Sequence, residues 1–100
     1  MSENGIIKVA GVTFSNDDDE SRQKILKNIG IGSNTADLKQ ISFRGERAVE
    51  VWIEGKLVGY IPKTELNNTL SYCSKLAALV LYFKKGSTGI YYVELSELKD

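Results

Sequence analysis

Apolar and polar residues alternate along Val49, Val51 and Ile53, leaving Ala48, Glu50 and Trp52 on the opposite face. This period of two predicts a strand in the middle of the chain. Glycines at 45 and 55 mark turns on either side of it, so the stretch from Ala36 to Ile61 reads as two or three antiparallel strands. The turn at Gly55 sets the register. A two-residue loop would face the valines with Val58 and Tyr60. A three-residue loop carrying a glycine bulge would face them with Leu57 and Ile61, and its uniformly aliphatic interior makes it the expected arrangement. Trp52, Val58 and Tyr60 then share the outer face, with the Trp52 ring largely buried under a neighbouring element.

The flanking segments follow other periods. Ile6 to Phe14 is rich in β-branched residues and too short for a typical helix, which predicts a strand covered on both faces and interrupted at Gly11 by a bulge or a close approach. Ile25, Leu26 and Ile29 form a helical stripe. Asp17 and Glu20 have capping-box spacing ahead of it, Lys24 and Lys27 suit its negative end, and Gly30 or Gly32 closes it. A short helix is expected in Lys63 to Cys73. Val80 to Phe83 and Ile90 to Leu95 then form a closing hairpin across Gly86 to Gly89. The order predicts one α+β domain spanning residues 1–100, a small OB-like β-barrel of about six strands with two short helices.

Composition narrows the function more than the fold. With 100 residues, 42% apolar and 26% charged, the chain is expected to fold around a single core. Histidine is absent, which removes the usual general base and the usual neutral metal ligand, and the single Cys73 has no thiol partner and reads as a small core residue. An enzyme is therefore the least favoured class, and neither a cofactor nor a metal is expected. The acids of Asp17 to Glu20 are read as helix capping rather than cation binding. They also hold four of thirteen acidic residues, so the rest of the neutral chain has thirteen positive and nine negative charges and room for a local basic patch. No segment is apolar enough for a membrane span and no signal-peptide pattern opens the chain; a soluble, cytoplasmic protein is expected.

The stretch VGYIPKTEL, residues 58 to 66, carries the most pointed chemistry. Pro62 ends a strand cleanly and suits a helix start, where free backbone N–H groups repel the neighbouring Lys63 ammonium unless an anion such as phosphate shares the site. Together with VAGVTF (Val9 to Phe14), SRQKIL and AVEVWIEGKLVGYIPK (Ala48 to Lys63), this stretch resembles the HIRAN domain over about two-thirds of the chain. The resemblance implies an OB-like barrel with added helices. It also implies DNA binding, as in family members fused to Swi/Snf-type remodelling enzymes or found as small separate bacterial and phage proteins, where the module captures the unpaired 3′ end of single-stranded DNA.

By that resemblance, Thr13, Phe14 and Ser15 match the strand end that holds basic and aromatic DNA contacts, with Phe14 keeping a stacking surface. Tyr60 and Lys63 match the family's polar ring and phosphate-facing cation. The family's Asn-Pro-Tyr-Asp segment falls on Ser42, Phe43, Arg44 and Gly45, so the aspartate that would accept a hydrogen bond from a terminal hydroxyl is missing, and Arg44 and Arg47 are left to contact phosphates. The expected partner is single-stranded DNA or a DNA end in a repair or replication setting, with a helicase or nuclease as an accompanying protein. The rival is a protein-interaction adaptor with no nucleic-acid contact. Phosphate binding weakens steeply with salt through counterion release, whereas an apolar protein contact does not, which separates the two.

Overall fold

Three two-residue turns, each with backbone at positive φ, organise the sheet. Arg44 and Gly45 have φ of 54° and 81°, Glu54 and Gly55 have 52° and 77°, and Gly86 opens the third at 63°. Such turns match the right-handed twist of paired strands. The computed structural model describes residues 5–98. Its elements are β1 (Ile7–Lys8), α1 (Arg22–Ile29), β2 (Gly32–Phe43), β3 (Glu46–Ile53), β4 (Lys56–Tyr60), β5 (Lys75–Lys85) and β6 (Thr88–Ser96), with 3-10 turns at Lys63–Glu65 and Thr69–Tyr72 between β4 and β5.

The strands form one six-stranded antiparallel sheet in the order β1-β6-β5-β2-β3-β4. The twelve-residue β2 joins its halves, pairing with β5 through Gly32 to Asp37 and with β3 through Ala36 to Phe43. An isolated bridge from Ala10 to Tyr60, with hydrogen bonds of 2.8 and 2.9 Å, links the chain just beyond β1 to β4. Among the described residues no continuous ladder closes the sheet. What is established is a small α+β domain, with one α-helix and two 3-10 turns where two short helices were expected.

The core lies on one face of this sheet. Val49, Val51 and Ile53 from β3 meet Leu76, Ala78 and Val80 from β5, Val93 and Leu95 from β6, and Ile25 and Leu26 from α1, all buried. In β5 buried Leu76, Ala78 and Val80 alternate with more exposed neighbours because one face of the strand meets the core, while pairing with both β2 and β6 overrides the helix preference of its alanines and leucines.

Three local expectations are corrected. The β3–β4 loop has two residues, but a bulge between Val51 and Trp52 makes Val58 the extra residue, so Val58 turns inward with Ile61 while Leu57 and Tyr60 stay outside. Trp52, on that outer face, is mostly covered, in line with its expected burial. The helix begins four residues later than Asp17 implies, because Ser21 is its N-cap, accepting from the Lys24 N–H, and the acidic run forms a separate turn with Asp19 at φ 65°. Cys73 is exposed rather than in the core, at the end of the second 3-10 turn.

Candidate nucleic-acid interface

Gly11, at φ 77°, turns the chain out of the sheet just after the Ala10 bridge. A Cβ there would stand 3.7 Å from both the Phe14 and the Tyr60 rings and 3.1 Å from a terminal nitrogen of Arg22. The glycine thus lets two aromatic rings and a guanidinium converge. Phe14 is 66% exposed and Tyr60 is half-buried, so both offer ring surface to solvent. Thr13 and Ser15 flank Phe14 and are exposed.

Arg22 is the unexpected member of this corner. It is 5% exposed and its partners among the described residues are all neutral: Nε donates to Asn16 Oδ1 at 2.7 Å, a terminal N–H donates to the Gly11 carbonyl at 2.9 Å, and the guanidinium lies 5.2 Å from the Tyr60 ring centroid. A buried cation with no carboxylate partner among the described residues keeps a positive potential beneath the rings. The sequence signal for it was present, since Arg22 precedes Ile25, Leu26 and Ile29 at the spacing of the same inward stripe. Gln23, next along, was also missed. Its side-chain amide pairs with both the N–H and the C=O of Tyr91, at 2.7 and 2.8 Å, and with the Val12 carbonyl at 2.9 Å. In effect it extends the edge of β6 with a side chain.

The remaining expected residues gather at the β2–β3 turn. Arg44 is exposed there, with its guanidinium 5.3 Å from the Phe43 ring. Lys63 opens a three-residue 3-10 turn and is not at an α-helix N-terminus; its ammonium lies 3.3 Å from the Glu46 carboxylate, with both side chains well exposed. Glu46 supplies the negative partner that the sequence left unnamed. Arg47 is occupied within the fold. It donates to Gln40, to the Leu66 carbonyl and to both oxygens of Ser71, while covering the Tyr72 ring at 3.9 Å. It ties the 3-10 turns to the sheet instead of presenting a free fork. Tyr60 pairs with Glu50, four residues along β3 from Glu46, so the two clusters lie about 13 Å apart along the strand.

A further groove runs between these elements and the acidic turn, lined by Asp17, Asp18, Glu20, Glu50, Trp52 and Lys56 among others. Trp52 donates to Glu50 at 3.0 Å, and Lys56 pairs with Glu20 at 3.2 Å. Its carboxylates repel phosphate. Among the described residues no group of three His, Cys, Asp or Glu side chains is placed to hold a metal ion, and no helix is long and apolar enough to cross a membrane. Comparison with protein-family models, with curated proteins and with solved structures finds no match to this chain.

Proposed function

We propose that this chain is a non-catalytic, HIRAN-like domain that binds single-stranded DNA or DNA ends in a cytoplasmic repair or replication setting. Phe14 and Tyr60 stack bases, and Lys63 and Arg44 take phosphates. The observation that carries this reading is the Gly11 corner, where two partly exposed rings stand against a buried, carboxylate-free arginine. Stacking contributes about 1–3 kcal/mol per base and accepts any sequence, which suits a site with rings and cations but few base-reading groups. An OB-like barrel is part of the proposal. The Ala10–Tyr60 bridge supports it by tying the chain beyond β1, at one edge of the sheet, to β4 at the other. Arg47 leaves the proposed phosphate set because its donors are used internally.

Gly45 stands in the β2–β3 turn where the HIRAN resemblance would put the hydroxyl-binding aspartate, so on this reading the domain binds strands without selecting a free 3′ end. Anisotropy titrations of labelled oligothymidylate ending in 3′-hydroxyl or 3′-phosphate test this. Equal binding within about threefold is expected, with Tyr60→Ala weakening both by about 1–3 kcal/mol. A strong 3′-hydroxyl preference would overturn the end-indifferent site. Absence of binding at low salt would favour the second reading, a protein-interaction adaptor for a partner such as a helicase or nuclease, which draws on Ile31, Phe43 and Phe83, each more than half exposed.

A further inference from the structure

Beyond the Gly11 corner, α1 and the β5–β6 hairpin enclose a second groove of about 540 Å³, lined by Gln23, Lys24, Lys27, Tyr82, Gly89 and Tyr91. Tyr82 and Tyr91 face each other across the ladder with ring centroids 4.7 Å apart and planes at 53°. A Cβ on Gly89 would collide with the Tyr82 ring, so this glycine is what lets the ring lie down against the hairpin. Lys84 pairs with Gly89 and therefore shares the face of Tyr82 and Tyr91. Lys24 and Lys27, exposed and one turn apart, approach from the helix. No carboxylate lines the groove, and none of these three lysines forms an ion pair among the described residues.

We infer that this groove is a second contact surface for the same single strand, with phosphates on Lys24, Lys27 and Lys84 and a base on the exposed part of Tyr82. The inference rests on the reading of the domain as a single-strand binder, but on different residues. Charge selects the occupant: three unpaired ammonium groups beside two rings complement a polyanion with stackable faces, and they disfavour a basic or purely apolar partner. Gln23 connects the two surfaces. It bonds the Val12 carbonyl beside Thr13 and Phe14, and it also bonds both backbone groups of Tyr91 on the groove wall. A strand leaving the Phe14 ring therefore has a charged path along α1.

Amide NMR of the full chain, titrated with oligothymidylate at low salt, tests the groove directly. Shifts at Lys24, Lys27, Tyr82 and Tyr91 together with those at the Gly11 corner are expected. The Lys24→Ala/Lys27→Ala variant should lower the magnitude of the salt slope by about 1.4, the loss of two single-strand phosphate contacts. Tyr82→Phe should bind like the native chain, and Tyr82→Ala about five- to a hundredfold more weakly. Shifts confined to Phe14, Tyr60 and the β2–β3 turn, with the double lysine variant binding as the native chain does, would overturn the groove and leave the first site standing. Shifts nowhere would overturn both.

Discussion

On one flank of α1, Glu20 and Glu54 stand with Lys56 beside Asn28 and Ile29; on the other, Lys24 and Lys27 face Tyr82 and Tyr91 with no carboxylate in the lining. The two flanks lie on either side of one inward stripe, Arg22, Ile25, Leu26 and Ile29, which packs into or against the core. Their difference lies in the charged residues that surround it. The acidic flank partly neutralises itself through the Lys56–Glu20 pair, whereas the basic flank leaves its lysines uncompensated. An exposed ion pair contributes at most about 1 kcal/mol, so neither pattern matters much to stability. What the contrast governs is which partner each surface admits.

Breaking the frame under both flanks should have the largest effect. A Cβ at Gly59 would meet Val9 and the Ala10 carbonyl, at the bridge that ties β4 to the chain beyond β1. Gly59→Ala should cost about 3 kcal/mol in urea unfolding, because backbone on the far side cannot move aside as a flexible side chain would. Next comes a change on the basic flank and its link to the Gly11 corner, away from the acidic flank. Gln23→Ala leaves the Tyr91 N–H and C=O and the Val12 C=O without their side-chain partner, for an expected loss of about 1–3 kcal/mol and faster hydrogen exchange at the Tyr91 amide.

These two effects also mark what the sequence disclosed. The turns at Gly45, Gly55 and Gly86 were legible because glycine placed between alternating runs has a direct backbone meaning. The stripe of α1 was legible from its period, yet Arg22 on that stripe was not, because charge normally signals exposure. The register of β3 on β4 was hidden by a bulge that no residue type announces. Lys63 was placed at a helix start because the proline before it suits one. The 3-10 geometry and the partner Glu46, distant in sequence, emerge only from tertiary structure. The Tyr82–Lys24 groove joins segments far apart in the chain, so no local pattern pointed to it.

The flanks themselves should separate by binding, with small changes in stability. Lys56→Ala is expected to change stability by no more than about 0.5 kcal/mol and to leave DNA affinity within about twofold, since Lys56 sits in the groove lined by Asp17, Asp18, Glu20 and Glu50, whose carboxylates repel phosphate. Lys63→Ala should be similarly neutral for stability while lowering the magnitude of the salt slope by about 0.7. Equal losses of affinity from Lys56→Ala and Lys63→Ala would erase the distinction drawn between the acidic groove and the proposed phosphate contacts.

The central claim is that phosphate contact draws a single strand to this neutral domain, and the salt dependence of wild-type binding tests it most directly. Anisotropy of labelled oligothymidylate across a series of salt concentrations should give a straight line of log affinity against log salt, with a slope of about −1.4 for the two contacts at Lys63 and Arg44 and about −3.5 when Lys24, Lys27 and Lys84 contribute as well. No binding at the lowest salt, or binding with a slope near zero, would contradict the account.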